Sequence, residues 1–338
     1  MIQAHLPNTA ILELTYSCNH HCKFCSCPWD APKSAYPKGK ELTVPEWITA
    51  VDKLYDNGVE MFTLSGGEVL LKEGFKDIIR HIRTKGKERG LNYSMVLISN
   101  GLKMTEEYLL FFKEMNVHLS MSLPGYTTFE KHTGVDNADG VLHWFKVADD
   151  IGLETTVNIT VTRLNYDELF QTISLGLING AHDVLLNRFL PGGRGLSYMT
   201  ELKLTAEQMN GMLDTAEEVL EYANKHGYTG TEIPLCVIKE ADKYKHIHLG
   251  YQYSAAKEFF VIDPSGNIRI CNHSPRIVGH IFDTPMINDI GYWNLFAQSD
   301  YQPEECSDCN FKQICDCGCR EVAHILTGSP RKKDVSIL

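Results

Sequence analysis

Thr15-Tyr16-Ser17-Cys18-Asn19-His20-His21-Cys22-Lys23-Phe24-Cys25 sets three cysteines with three and then two residues between them. The stretch follows the apolar run Ile11 to Leu14, where a first strand would end and turn into a loop. Three thiolates therefore stand at the mouth of whatever fold follows. Cys22-x-x-Cys25 by itself would equally suit a zinc knuckle or a redox pair. Cys27, just beyond, reads as a buried or loop thiol rather than a ligand.

Ser65-Gly66-Gly67-Glu68 follows the next strand, and together with the Cys-x3-Cys-x2-Cys loop it resembles the paired signatures of radical SAM enzymes. The resemblance implies a 4Fe-4S cluster held by Cys18, Cys22 and Cys25, with Phe24 among the cofactor-binding residues. Structural iron-sulfur clusters are closed by four cysteines. A three-cysteine loop leaves one iron open, much as catalytic zinc sites keep an open position. In the family that iron is chelated by the amino and carboxylate groups of S-adenosylmethionine, and an electron from the cluster splits the sulfonium to a 5'-deoxyadenosyl radical. The protein supplies position, and the cofactors supply the hard chemistry.

Composition narrows the partners. At 338 residues the chain suits one large domain plus a small one, or two of moderate size, and 43% hydrophobic residues suffice for a sizeable core. A net charge of -11 argues against nucleic acid, because phosphate neutralisation needs concentrated Lys and Arg. Arg331-Lys332-Lys333 reads as a solvated end. Met1-Ile2-Gln3-Ala4-His5 does not read as a signal peptide. No window approaches the roughly 20 apolar residues of a membrane span, so the expectation is a cytoplasmic protein. Eleven cysteines in a reducing compartment point to metal or cluster binding rather than disulfides. Four lie in residues 18 to 27, none between 28 and 235, and seven from Cys236 onward, which suggests two cluster-bearing regions around a metal-free scaffold.

Between residues 9 and 190, short apolar runs alternate with helix-like segments, the pattern of repeated strand-helix units and a parallel sheet. Strands are expected at 10–15, 60–64, 94–99, 117–123, 155–161 and 183–190, short of a closed eight-stranded barrel. The fold class is α/β: a partial (β/α)6 TIM-type barrel with a small C-terminal cysteine-rich domain. Thr43-Val44-Pro45-Glu46 reads as a capping box, followed by Trp47, Val51, Leu54 and Tyr55 on one face. Thr105 begins another helix, with Leu109, Phe112 and Met115 inward. Val117, Leu119, Met121 and Leu123 alternate with His118, Ser120 and Ser122, and Val157, Ile159 and Val161 with Asn158, Thr160 and Thr162. If the apolar sets lie under helices, the polar sets face a ligand-holding lumen, although a half-solvated sheet would give the same alternation.

Ligands in such folds gather at the C-terminal strand ends, where Cys18, Gly66, Asn100, Ser122 and Arg188 fall. The resemblance implies that Gly66, Gly67 and Glu68 meet the methionine amino group, with glycines allowing close backbone approach. Ser99-Asn100-Gly101, and Ser120 to Gly125 with His132, resemble segments around the ribose and carboxylate; Asn158 joins the cofactor-binding set. Asn187 to Gly195, with Arg188, resembles the sixth-strand exit of members with extra clusters. Thr205 to Gln208 caps a helix whose stripe Met209, Met212, Leu213, Ala216, Val219, Leu220 and Ala223 is core packing and bridges to the tail. The expected division is a barrel over 1–200, a bridging helix over 201–230 and an auxiliary-cluster domain over 231–338.

The tail begins with a hairpin, Phe259 to Cys271, turning at Pro264-Ser265-Gly266-Asn267. Cys306-x2-Cys309-x5-Cys315-x3-Cys319 follows, with Cys317 between the last two. Gly266-x4-Cys271 plus this array resembles the SPASM domain, which implies auxiliary 4Fe-4S clusters on Cys271, Cys306, Cys309, Cys315, Cys317 and Cys319; zinc is the plain alternative. The usual cysteine before the hairpin glycine is absent, and none follows Cys319. Seven thiols leave either one auxiliary cluster or a second with an open or non-cysteine position. Cys236 then reads as a displaced ligand, a hydrogen-atom donor to a substrate radical, or a buried cysteine. Where sulfatase-maturing relatives place a catalytic aspartate, this chain has Asn272, which cannot act as a base at neutral pH.

The leading expectation is hydrogen abstraction from a ribosomal peptide or protein, giving a crosslink, a thioether or an epimer. An electron donor such as flavodoxin or ferredoxin would feed the cluster. Only seventeen residues precede Cys18, which leaves no room there for a fused leader-binding domain. The runner-up is a radical SAM dehydrogenase or epimerase on a small molecule such as a sugar or cyclitol. A third is a non-catalytic iron-sulfur or zinc protein.

Overall fold

The computed structural model describes residues 5–93 and 95–337. The start of the chain and Ser94, the first residue of the expected third strand, lie outside the described residues. In chain order the first half runs β1 (Thr9–Glu13), α1 (Val44–Asp56), β2 (Met61–Ser65), α2 (Phe75–Glu88), β3 (Met95–Ser99), α3 (Glu106–Glu114) and β4 (Val117–Ser122). It continues with α4 (Phe129–Thr133), α5 (Ala138–Asp150), β5 (Thr155–Val161), α6 (Leu169–Ile178) and β6 (Asp183–Arg188). The remainder is α7 (Met199–Leu202), α8 (Ala206–Ala223), β7 (Gly227–Thr229), β8 (Ile247–His248), β9 (Phe259–Ile262), β10 (Asn267–Arg269), β11 (Gly279–His280), α9 (Ile290–Ala297) and α10 (Arg320–Thr327). All six expected strands form. The alternating βα order is the one that yields parallel sheets, because each helix crossover returns the chain in the same direction.

Two compact units interleave along the chain. The first comprises residues up to 19, 35–120 and 254–300; the second comprises 20–34, 121–253 and 301 onward. The segment 231–338 is thus shared between them.

In the first unit β1 pairs in parallel with β2, and β2 with β3. β9 pairs in parallel with the other edge of β1, Thr9 opposite Phe259, and β10 returns antiparallel to β9. Gly266, at φ +90°, makes that hairpin turn. The hairpin was legible in sequence, but its docking on β1 was not. The Thr43 box forms with both reciprocal hydrogen bonds, and Trp47, Val51, Leu54 and Tyr55 are buried beneath α1. Leu109 and Phe112 are buried in α3, with Met115 half-buried at its C-cap.

In the second unit β5, β6, β7 and β8 pair in parallel. Val157, Ile159 and Val161 are buried while Asn158 and Thr160 are half-exposed, so the expected alternation holds. β7 and β8 went unrecognised because each is too short to show a period. α8 carries the Thr205–Gln208 capping box and buries Met209, Met212, Leu213, Ala216, Val219 and Leu220. Ala223 is exposed, since the helix ends at Asn224 in a left-handed cap before the stripe returns to the core.

Candidate active site and cysteine-rich tail

In the first unit the chain leaves β1 and runs directly over the Gly66-Gly67 turn. Leu14 N–H donates to Ser65 O at 2.9 Å, Gly67 N–H to Thr15 O at 2.7 Å and Glu68 N–H to Ser17 O at 2.8 Å. A Cβ on Gly67 would lie 2.1 Å from Ser17 O, and Gly66 has φ +145°. The glycines therefore let two backbones touch, and this contact sets the path of the chain into Cys18.

Glu68 is buried and its carboxylate is already engaged. It accepts from Leu70 N–H at 3.1 Å, Ser99 Oγ at 2.8 Å and Asn100 N–H at 2.8 Å. Burial raises its pKa while these donors oppose the rise. Glu68 thus ties the exits of β2 and β3 together rather than reaching outward. Asn100 passes the tie on, its Nδ2 donating to Asn19 Oδ1 at 2.7 Å and lying 4.0 Å from Cys18 Sγ. Asn19 Nδ2 is buried without a hydrogen-bond partner, a donor beside Cys18 suited to a sulfide or carboxylate acceptor.

Sequence reading missed the residues that hold this corner from below. Glu41 accepts from Thr15 Oγ1 at 2.7 Å, Tyr16 N–H at 2.8 Å and Lys72 Nζ at 3.1 Å. Arg269, fully buried, pairs with Glu13 at the end of β1 and donates to the carbonyls of Cys271, Asn272 and Ser274 at 3.3, 3.0 and 3.0 Å. Asn272 Nδ2 donates to Glu13 Oε1 at 3.1 Å. Arg269 therefore shapes the loop carrying Cys271, and Asn272 is a donor in it. No single residue in these pairs carries a motif, so only tertiary contact reveals them.

In the second unit the loop from His20 is fixed by backbone. His21 N–H donates to Thr133 O at 2.8 Å, Lys23 N–H to His132 O at 2.7 Å and Gly195 N–H to Cys25 O at 3.1 Å. Gly193, at φ +49°, packs so closely that a Cβ would lie 2.5 Å from Cys27 O. Arg194 donates to Cys22 O at 3.2 Å and Asp30 at 2.9 Å. The Gly192-Gly193-Arg194-Gly195 segment after β6 thus clamps the Cys22–Cys25 backbone. His132 is fully buried between Thr128 O at 3.0 Å and Thr162 Oγ1 at 2.8 Å, and burial lowers its pKa. It braces the loop, with the Phe24 ring centroid 5.9 Å from its own. His20 Nε2 is buried without a partner, and burial followed by the His21 charge lowers its pKa to about 4.

Ser122 and Asn158 are half-buried, and Asn158 Oδ1 accepts from Asn187 Nδ2 at 2.9 Å. Arg188 lies elsewhere than expected. It is 2% exposed and donates to Glu232 O at 2.7 Å, Ser336 Oγ at 2.9 Å and Asp334 Oδ2 at 2.6 Å. A guanidinium so engaged anchors the C-terminal segment.

The second unit also gathers Cys236, Cys306, Cys309, Cys315, Cys317 and Cys319, whereas Cys271 belongs to the first. Cys317 N–H donates to Cys315 Sγ at 3.4 Å, and this thiol pair pulls the Cys315 pKa down to about 6. Asp334 Oδ2 accepts from Cys319 N–H at 3.0 Å, and Arg320 donates to the carbonyls of Cys317, Gly318, Pro330 and Lys332. No two of the eleven cysteines form a disulfide among the described residues.

The donor set fits iron-sulfur clusters. No three His, Cys, Asp or Glu side chains among the described residues converge as ligands of one metal ion. Each cysteine of a 4Fe-4S cluster binds a different iron, and the unpartnered Asn19 Nδ2 beside Cys18 offers such a group a hydrogen-bond donor. No helix among the described residues is long and apolar enough to cross a membrane.

Comparison with known proteins agrees with this chemistry. Residues 12–176 match the Radical SAM superfamily model. The chain is 25% identical to the PqqA peptide cyclase of Bradyrhizobium diazoefficiens over 97% of its own length and 85% of that protein's, and 25% identical to that of Streptomyces rochei over 97% and 88%. Among solved structures it resembles Streptococcus suis SuiB bound to precursor peptide SuiA, with TM-score 0.71, 15% identity and coverage of 98% of this chain and 75% of that one. It also resembles native anSMEcpe with bound AdoMet, with TM-score 0.73, 16% identity and coverage of 97% and 92%. The three-cysteine loop and the double-glycine turn both fall within residues 12–176, and the chain accordingly carries a radical SAM domain over that stretch.

Proposed function

We propose that this enzyme abstracts a hydrogen atom from a residue of a ribosomally made peptide or protein, leading to a crosslink, a thioether or an epimerised centre. The observation that carries the reading is the length of the match. Similarity to the PqqA peptide cyclases runs over 97% of the chain, cysteine-rich tail included, rather than over the radical SAM domain alone. The small-molecule alternative, a sugar or cyclitol enzyme, draws no comparable support.

When bound, a 4Fe-4S cluster and S-adenosylmethionine supply the 5'-deoxyadenosyl radical. Cys18, Cys22 and Cys25 hold the cluster in this reading. Gly66, Gly67, Glu68 and Asn100 fix the chain into Cys18, while Arg194 and Gly195 fix the chain around Cys22 and Cys25. Phe24, Ser122 and Asn158 line the cofactor and substrate side. The working division is a barrel over 1–200, the α8 bridge over 201–230 and an auxiliary-cluster region over 231–338. Cys271, Cys306, Cys309, Cys315, Cys317 and Cys319 serve the auxiliary clusters, and a flavodoxin or ferredoxin donates the electron in the cytoplasm.

The test incubates the anaerobically reconstituted enzyme with candidate precursor peptides. A change in peptide mass that depends on S-adenosylmethionine is expected. No mass change with any peptide, while a sugar or cyclitol drives stoichiometric cleavage of S-adenosylmethionine, would favour the alternative.

A further inference from the structure

We propose that the side-chain amides of Asn19 and Asn100 form a donor couple for the sulfur of the N-terminal cluster, Asn100 toward Cys18 and Asn19 toward an adjoining sulfide, and that this couple raises the cluster's reduction potential. The inference rests on the cluster-binding reading of the Cys18 loop and goes beyond it to what sets the energy of the electron accepted there.

All of the geometry lies in the first unit. Asn100 is held at both ends: its N–H donates to Glu68 Oε2 at 2.8 Å, and its Oδ1 accepts from Leu102 N–H at 3.0 Å. The second bond fixes which end of the amide is oxygen. Nδ2 is then the atom that lies 2.7 Å from Asn19 and 4.0 Å from Cys18 Sγ. An amide nitrogen carries two hydrogens, so one serves Asn19 and the other lies within the longer reach of sulfur. A donor at 2.7 Å requires an acceptor, which makes the Asn19 atom there Oδ1. Asn19 is left with Nδ2, and this nitrogen is buried without a partner.

Buried donors are almost always paired, and the acceptors at this corner are already supplied. Glu68 accepts from Leu70, Ser99 and Asn100, and Glu41 from Thr15, Tyr16 and Lys72. The carbonyls of Thr15 and Ser17 accept from Gly67 and Glu68 N–H. The acceptor for Asn19 therefore arrives with the bound group, next to the cysteine that Asn19 directly follows. Reduction adds one electron from the external donor and moves no proton, so the sulfur becomes more negative and N–H···S bonds strengthen. Hydrogen bonds to sulfur are one of the levers that set iron-sulfur potentials, and donors that favour the reduced form raise them.

The experiment uses the full chain, reconstituted anaerobically, as wild type, Asn19→Leu and Asn19→Asp. Asn19→Leu removes the donor at similar volume. Asn19→Asp keeps an oxygen for Asn100 Nδ2 and sets a second oxygen where the donor stood. Redox titration, before S-adenosylmethionine is added, gives the midpoint of the EPR component that S-adenosylmethionine later perturbs. Asn19→Leu should make this cluster about tenfold harder to reduce at a fixed potential, which is about 59 mV for one electron, and Asn19→Asp at least as much. A purely structural role predicts a wild-type midpoint in Asn19→Asp, because Asn100 keeps its acceptor. An unchanged midpoint in either variant overturns the inference. So does a midpoint that differs only once S-adenosylmethionine is present, which would put the amide on that molecule's carboxylate. Should neither variant take up iron, the wild type decides: with asparagine labelled with 15N at the side-chain amide, pulsed EPR of the same reduced component should show two nitrogen couplings, and one or none overturns the inference. A wild type with no component that responds to S-adenosylmethionine overturns the cluster reading itself.

Discussion

Arg188 donates to Asp334 across 2.6 Å, with 2% and 0% of the two side chains exposed. The same Asp334 oxygen accepts from Cys319 N–H at 3.0 Å. One carboxylate therefore joins the exit of β6 to the last cysteine of the tail. Removing one partner of a buried pair strands the other charge, at a cost of about 3–5 kcal/mol. Asp334→Asn should lower the thermal midpoint and reduce tail iron, whereas exposed Asp283→Asn should do neither; melting curves and iron counts check this. Burial would raise the Asp334 pKa, but Arg188 and Ser336 outweigh it and hold it low. A depressed carboxyl stabilises the fold above its unfolded pKa, near 3.9, and that stability is lost as pH falls through the folded value. The gap between wild type and Asp334→Asn should therefore narrow in acid.

The contact between Gly67 and Ser17 predicts a sharp position effect. Gly67→Ala must displace the chain leading into Cys18, because the new Cβ would meet Ser17 O at 2.1 Å. The variant should lose about four irons per chain and all cleavage of S-adenosylmethionine. Gly58→Ala, strained by φ +87° but with no atom within 4 Å of the new Cβ, is the control. It should cost only about 1 kcal/mol and retain its iron.

Glu13 and Arg269 form a second buried pair, which holds the Cys271 loop against β1. Arg269→Met alone should destabilise by about 3–5 kcal/mol, and Glu13→Gln combined with Arg269→Met should recover much of that loss. A double-mutant cycle by chemical denaturation measures the coupling. Additive losses would mean that the pair does not act as a unit.

Glu232 offers a test by pH. Its carboxyl end is enclosed although the residue is only half-buried overall, and burial raises its pKa to about 7, with Asp334 adding to the rise and Arg188 opposing it. A raised carboxyl contributes stability that is full below the unfolded pKa, near 4.3, and is lost as pH rises through the folded value. Glu232→Gln removes that dependence. Relative to wild type it should gain stability between pH 5 and pH 8, as denaturation midpoints across that window would show. A constant difference would place the carboxyl in contact with solvent.

The sequence by itself carried the radical SAM resemblance, through the spacing of Cys18, Cys22 and Cys25 and the Gly66-Gly67-Glu68 turn, and most of the secondary structure. Strand alternation with capped amphipathic helices is a local property that needs no partner to be read. The tertiary structure decided what each polar residue near those motifs does. Glu68 and Arg188 look like ligand contacts at strand ends, yet their hydrogen-bonding capacity is engaged by Ser99 and Asn100 in one case and by Asp334, Ser336 and Glu232 in the other. Glu13, Glu41 and Arg269 carry no motif and acquire their roles only where distant segments meet. The same holds for the hairpin's place on β1. The physical reason is common to all of them: a buried polar group must be satisfied, and its partner is set by three-dimensional packing rather than by position along the chain.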